Sequence, residues 1–377
     1  MTAAARRQPA EATGTGAAEE TTAEWTPGNR AALARFLREH GLGGGDASGG
    51  DLDIRRVGDG HSNLTFAVTS GTNRIVVRRP PLPPSPPGAH DVLREARLMA
   101  ALRDTPVPVP AVLATARVGE VIDVPLYVMS FAEGLVVTTV TPAPLGRPAT
   151  RRQIGEALID TLADLHAVDW RAVGLADLGR PDGFNARHLR RIAGLVVGPG
   201  GDPPPLFAAA GDWLAKQVPP ESGASIVHSD YRIGNVVLAP GPPGRVAAVL
   251  DWELATIGDP LLDVAYFLAS VPGRRQSTTP VRELSTALQE DGYPARQELA
   301  ARYAARYAER TGRDLPDLTW YTVMALWKLA VLYEYGRRRA VRDGGDAYYA
   351  DRSLVLSFLN AAHRAAALGP VRDGETS

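Results

Sequence analysis

The chain has no cysteine among its 377 residues, which excludes disulfides, cysteine zinc sites and a cysteine nucleophile. Lysine is almost missing as well: of the 41 basic residues only Lys216 and Lys328 are lysines, which leaves 39 arginines. A P-loop needs lysine followed by serine or threonine after a glycine-rich turn. Lys216 precedes Gln217 and Lys328 precedes Leu329, so Walker-type nucleotide binding is excluded. A Schiff-base lysine would have to be one of the same two residues, which counts against pyridoxal and class I aldolase chemistry. No run of about 18 apolar residues is present, and residues 1–24 lack the apolar core of a signal peptide. The expectation is a soluble, cytoplasmic protein without a membrane partner. Charge of one sign is not in excess either, since 41 basic against 42 acidic residues give a net charge of -1. With no global basic field and no aromatic and basic stripe, nucleic-acid binding is not expected. The abundance of Ala and Arg with 38 Gly and 31 Pro suits a GC-rich coding sequence, and a mechanism that needs a cation must then use arginine.

What is present falls into regions. Residues 1–24 carry no apolar periodicity and are expected to form a disordered tail. A helix follows Pro27, with Leu33, Phe36 and Leu37 on one face, and ends at the glycines from Gly41. The period then shortens to that of strands at residues 52–57, 64–68 and 74–78, joined by tight loops, which predicts an antiparallel meander. Six prolines between residues 80 and 88 predict a stiff linker. A helix is expected from Asp91 to Leu102, then extended segments at 107–118 and 121–129. Beyond Gly134 the pattern is helical, at about 151–166, 185–195, 206–218, 260–269, 294–310, 318–339 and 347–367. One hairpin, at 236–238 and 246–250, interrupts it. Strands first and helices afterwards predict an α+β chain with two lobes. The expected division is an N-lobe at 25–132, a helical C-lobe at 133–368 and a flexible tail at 369–377.

The strongest local signal is His228-Ser229-Asp230-Tyr231-Arg232-Ile233-Gly234-Asn235, followed by the hairpin and Asp251-Trp252. Phosphoryl transfer asks little covalent chemistry of a protein. It needs a carboxylate for the acceptor hydroxyl, oxygen ligands for Mg²⁺ and cations for the moving phosphate, and this segment offers all three. Asp230 and Asn235 stand five residues apart, the spacing of the catalytic Asp and the metal-binding Asn in a kinase catalytic loop. Asp251 ends the next strand, where a second metal ligand belongs. Taken singly, these are also ordinary turn and strand-end residues.

These stretches, together with Gly60-His61-Ser62-Asn63-Leu64-Thr65-Phe66, Val76-Val77-Arg78-Arg79-Pro80-Pro81, Tyr127-Val128-Met129, Leu165-His166-Ala167-Val168-Asp169 and Leu250-Asp251-Trp252-Glu253-Leu254-Ala255-Thr256-Ile257-Gly258-Asp259-Pro260, resemble the aminoglycoside phosphotransferase and choline kinase superfamily. The closest likeness is to the branch found as the kinase-like domain of some acyl-CoA dehydrogenase fusion proteins, and it runs collinearly from about residue 28 to 365. The resemblance implies a bilobal protein-kinase-like fold, with a small antiparallel-sheet N-lobe that binds nucleotide and a larger helical C-lobe that carries the catalytic loop and the acceptor site. It implies ATP or GTP with Mg²⁺ as cofactors and phosphorylation of a hydroxyl group on a small molecule, either a hydroxyacyl-CoA-like metabolite or an antibiotic. The oligomeric state is left open.

Carried over by position, the resemblance makes Asp230 the catalytic base or hydroxyl orienter, Arg232 a transition-state cation, and Asn235 and Asp251 the ligands of Mg²⁺. Ser62 and Asn63 stand where a loop would hold phosphate oxygens. Arg78 stands at the third strand, where kinases carry a lysine, with Glu95 as its partner and Arg79 as the alternative cation. The Ser130 carbonyl and the Ala132 N–H are the hinge groups expected to address adenine. Asp259 and Asp263 are expected to cap a helix and support the catalytic loop, and His166 and His228 to be structural hydrogen-bonders. Arg337, Arg338 and Arg339 form either an anion site or a solvated helix end. A nucleotide-binding pseudokinase with a regulatory or scaffolding role is the alternative function, against which Asp230, Asn235 and Asp251 are all intact.

Overall fold

The computed structural model describes residues 25–43, 52–57, 63–82, 91–197, 204–271, 286–343 and 347–369. The expected tail at 1–24, the tail at 369–377 except Gly369, the proline linker from residue 83 onward and Ser62 lie outside the described residues. The chain divides into two compact units: one holds residues up to Arg103 together with Pro110–Ala132, the other Asp104–Val109 and the chain from Glu133 onward.

In the first unit, the Thr26 hydroxyl caps helix α1 (Pro27–Glu39) by accepting the Asn29 N–H at 3.3 Å, and Pro27 occupies the first turn, where a missing N–H is no loss. Strands β1 (Asp53–Arg56), β2 (Leu64–Ser70), β3 (Asn73–Arg79), β4 (Val112–Ala116) and β5 (Leu126–Ser130) form an antiparallel sheet in the order β1-β2-β3-β5-β4. The expected meander holds for β1 to β3, and β5 then pairs with β3. Leu64, Phe66 and Val68 alternate inward along β2 and join Ile75 and Val77 of β3, Trp25, and the Leu33, Phe36 and Leu37 face of α1 in one core. Each such side chain contributes about 1.5–3 kcal/mol by leaving water. Helix α2 (Val92–Leu102) is capped by Asp91, whose carboxylate accepts the Arg94 N–H at 3.0 Å, and it buries Glu95 in its first turn.

The second unit is mainly helical, with α3 (Pro148–Ala167), α4 (Phe184–Gly194), α5 (Pro205–Lys216), α6 (Leu261–Ser270), α7 (Arg296–Thr311), α8 (Thr319–Asp343) and α9 (Arg352–Ala365). The expected single hairpin, β8 (Val236–Leu238) with β9 (Val246–Val249), has company. Strand β6 (Leu135–Val136) pairs with β8, and β7 (Ser225–Val227) pairs with β10 (Thr256–Gly258) in a second small sheet. Segments of two or three residues show no period, so sequence patterning misses them. Residues 104–109 belong to this unit because the Val249 N–H donates to the Pro108 carbonyl at 2.8 Å beside β9. Helix α8 is buried nearly all round from Trp320 to Val331, which brings Lys328 inside with its apolar neighbours. Among the described residues no helix is long and apolar enough to cross a membrane.

Candidate active site

The loop expected to be catalytic leaves β7 through His228 and turns at Ser229, which adopts a left-handed conformation (φ 69°) uncommon for a residue other than glycine. Asp263, in the first turn of α6, holds that turn. Its carboxylate accepts the His228 N–H at 2.5 Å and the Ser229 N–H at 2.8 Å. Burial pushes the Asp263 carboxyl up, but His166, His228 and the backbone donor outweigh it and hold the group below its ordinary range. His228 is fully buried. Its Nδ1 accepts the Asp230 N–H at 3.3 Å, which leaves Nε2 to donate to the Leu250 carbonyl at 2.9 Å, so the ring ties the start of the loop to the end of the hairpin. His166 is also a structural hydrogen-bonder, 2.8 Å from the Tyr303 hydroxyl, and burial keeps it neutral. Asp259 does cap the start of α6, accepting the Leu261 N–H at 3.1 Å, but its other partners are Asn185, Ser222 and Tyr321, so the support of the loop comes from Asp263.

Asp230 is held from two sides. The Asn235 amide, at the end of a 3-10 turn (Ile233–Asn235), donates to Asp230 Oδ2 at 2.7 Å and to its carbonyl at 2.9 Å. From α6, the Tyr266 hydroxyl donates to Asp230 Oδ1, and burial first, then the charge of Asp230, keep that phenol protonated. Arg232 Nε stands 3.6 Å from Asp230 Oδ1. Burial works against its charge, but Asp230 foremost, with Asp251, holds its pKa above the ordinary value. A Cβ at Gly234 would lie 2.6 Å from Arg232 Nη1, so a residue without one is needed for this guanidinium position.

Asp251 is brought to the same loop through Leu250. The Leu250 N–H donates to the Asn235 carbonyl at 2.8 Å, while the Leu250 carbonyl takes the His228 ring. Asp251 itself is left-handed (φ 66°) and opens the turn Trp252–Leu254, whose indole donates to Val249 at 2.9 Å. Among the described residues no three His, Asp or Glu side chains cluster to bind a metal by themselves. The donor set still fits Mg²⁺: with the Asn235 nitrogen turned to Asp230, its amide oxygen and the Asp251 carboxylate are hard oxygen ligands. Mg²⁺ typically takes one or two such ligands and completes its shell with water and phosphate.

In the first unit, Arg78 Nε donates to Glu95 Oε2 at 3.0 Å, and a terminal nitrogen donates to Thr65 Oγ1 at 3.0 Å from the paired position on β2. Glu95 is buried, so this pair is anchored on the α2 side of the sheet. Arg79, the alternative cation, points to the other face, where its guanidinium lies 5.2 Å from the Trp25 ring and 5.1 Å from the Phe66 ring and donates to the Pro80 carbonyl. Asn63 is buried at the foot of β2. At the end of β5, the Ser130 N–H donates to the Ala111 carbonyl at 2.8 Å and its hydroxyl accepts the Ala111 N–H at 2.9 Å. Ala132 is the last residue of the unit.

Two residues of the second unit were not singled out from sequence, Tyr266 and Lys328. Lys328 Nζ donates to the Ser229 carbonyl at 2.6 Å and lies 5.2 Å from the Tyr266 ring. The one available hint was a lysine inside an apolar helix in a chain with only two. Arg337 and Arg338 form neither a solvated helix end nor a bare anion site. Arg337 forks onto Glu334 at 2.7 and 2.9 Å, and Arg338 bridges Glu334 and the Val196 carbonyl, both at 3.0 Å.

A small antiparallel sheet with a part-buried Arg–Glu pair, and a helical unit whose loop holds Asp230 against Asn235 and is tied to the Asp251 turn through Leu250, define a protein-kinase-like phosphotransferase. The sequence matches the phosphotransferase enzyme family over residues 53–301, and the chain belongs to that family. It is 34% identical over 239 residues to acyl-CoA dehydrogenase family member 11 of Gallus gallus, covering 63% of this chain and 30% of that protein. The chain spans between 22% and 39% of the acyl-CoA dehydrogenase relatives it matches. A Ralstonia eutropha protein described as an aminoglycoside phosphotransferase shares the fold with a TM-score of 0.68 and 29% identity, over 88% of this chain and 98% of that one. An aminoglycoside phosphotransferase in ternary complex with ADP and hygromycin B shares the fold at a TM-score of 0.55 and 17% identity, over 92% of this chain and 100% of that one.

Proposed function

We propose that the protein is an ATP- and Mg²⁺-dependent kinase that phosphorylates a hydroxyl group of a small molecule. The observation that carries this reading is the double clamp on Asp230 by Asn235 and Tyr266, with Asp251 tied to Asn235 through Leu250. Asp230 is the carboxylate that orients the acceptor hydroxyl and takes its proton as the oxygen attacks the γ-phosphorus and ADP leaves. Arg232 offsets charge that develops on the transferred phosphoryl group. Asn235 and Asp251 would hold Mg²⁺, which would supply positive charge against the phosphates. Arg78, oriented by Glu95, takes nucleotide phosphate oxygens. Asn63 and Ser62 contribute from the loop before β2, and Ser130 and Ala132 address the adenine.

For the acceptor, the second unit contains a cavity of about 230 Å³ lined by Arg180, Arg187, Arg191, Phe184, His188 and Thr256. This lining has no acid and would repel a polycationic aminoglycoside. It favours an anionic metabolite of the hydroxyacyl-CoA kind, in keeping with the names of the acyl-CoA dehydrogenase relatives. The test is incubation with Mg-ATP and a panel of hydroxyacyl-CoAs, hydroxy acids, aminoglycosides and macrolides, read as a mass gain of one phosphate. Transfer that survives Asp230→Ala would overturn the mechanism. Tight Mg-ATP binding with no transfer across the panel would favour a nucleotide-binding regulator instead.

A further inference from the structure

In a chain that uses 39 arginines, a lysine at a buried position marks a place where guanidinium does not serve. Lys328 is 7% exposed, on the face of α8 that also carries the buried Met324 and Ala325. Among the described residues it has no carboxylate partner of its own, so burying its charge needs a reason. An ammonium is a compact charge with three donors on a flexible stem, whereas a guanidinium presents five donors in a rigid plane. Its acceptor here is the Ser229 carbonyl, 2.6 Å from Nζ.

We propose that Lys328 is a positioning residue whose ammonium, through the Ser229 peptide and the Tyr266 ring, sets how Asp230 is presented; this rests on the reading of Asp230 as the hydroxyl-orienting carboxylate. Ser229 is a non-glycine residue in the left-handed region, a strained conformation that persists only where its surroundings enforce it. Enforcement comes from both sides of the residue. Asp263 takes its N–H and Lys328 its carbonyl, so α6 and α8 each fix one polar group of the residue that precedes Asp230. The second route is Tyr266, whose ring faces Nζ at 5.2 Å and whose hydroxyl donates to Asp230 Oδ1. A cation near the ring draws charge from the phenol and strengthens that donor. Burial pulls the Lys328 pKa down, while the charges of Asp230 and then Asp263 work against that.

The absence of cysteine makes a direct test available. Lys328→Cys is the only thiol in its chain and is alkylated in denaturant, then refolded, with 2-bromoethylamine to restore an ammonium or with propyl iodide to supply a neutral chain of similar length. Lys328→Met, expressed without refolding, is the second variant. The readouts are kcat and KM for Mg-ATP with an accepted substrate, and amide hydrogen exchange at Ser229 and Asp230. The expected result is a kcat about 10- to 100-fold lower in the Met and S-propyl forms with KM for Mg-ATP nearly unchanged, faster exchange at both amides, and recovery of both in the aminoethylated form. If the Met or S-propyl form matches the wild type in exchange, the position needs only volume and the proposal is overturned. The exchange readout needs no acceptor, so it decides on Lys328 even where the wild type transfers phosphate to nothing, an outcome that sinks only the kinase reading.

Discussion

Asp263→Asn is the substitution whose consequences the structure lets one work through furthest. The carboxylate accepts two backbone N–H groups, from His228 and Ser229, one on each oxygen. Hydrogen bonds to a charged acceptor contribute about 1.5–3 kcal/mol each. The amide keeps one oxygen and turns an NH₂ group toward the other N–H, which loses one bond and leaves a buried donor without an acceptor. Relief from burying a carboxylate offsets part of this, and the net expectation is a destabilisation of about 2–4 kcal/mol, or roughly 5–15 °C in Tm for a unit of this size. The left-handed turn at Ser229 then loses one of its supports and Asp230 moves; a shift near 1 Å costs about 100-fold in rate. Differential scanning calorimetry and kcat measured on the same preparation check both. The pH dependence has a definite sign. The folded carboxyl lies below its ordinary value, so its contribution is fully present above about pH 4 and is lost as pH falls through the lower folded value. The variant should lack that acid limb. A variant that melts with the wild type and keeps its kcat would refute the claim that these two bonds hold the loop.

His188 is buried, and its pKa is lowered to about 3 by burial first and then by Lys328 and Arg191. The unfolded chain binds a proton below about pH 6.5 that the folded chain refuses, so stability falls by about 1.4 kcal/mol per pH unit, or about 2 kcal/mol by pH 5. His188→Gln should flatten this slope in chemical denaturation between pH 7 and 5. Tyr266→Phe removes one donor to Asp230 and should lower kcat about 10-fold with little change in KM, measured under saturating Mg-ATP. Arg78→Lys cannot reach Glu95 and Thr65 together, so the KM for ATP should rise about 10-fold; an unchanged KM would mean that charge alone matters there. Asn235→Ala should raise the Mg²⁺ concentration needed for half-maximal rate, read from a metal titration.

Local pattern carried much of this protein. The alternation of Leu64, Phe66 and Val68, the 3 and 4 spacing of Leu33, Phe36 and Leu37, and the five-residue step from Asp230 to Asn235 each lie within a few residues, so strands, helices and the pairing of Asp230 with Asn235 are legible before any packing is known. Arg78 against Arg79 was not, because β3 is covered on both faces and its pattern cannot say which face carries Glu95. The two- and three-residue strands β6, β7 and β10 are too short to show a period. The tertiary structure alone decided the long-range partners: Asp263 for the backbone of His228 and Ser229, Tyr266 for Asp230, and Lys328 for Ser229, separated by up to 99 positions. The scarcity of lysine told which chemistries to discard, but not that one of the two lysines lies against the catalytic loop. Periodicity reports which face of an element is buried, and only the placing of α6 and α8 against the loop that follows β7 determines what that face meets.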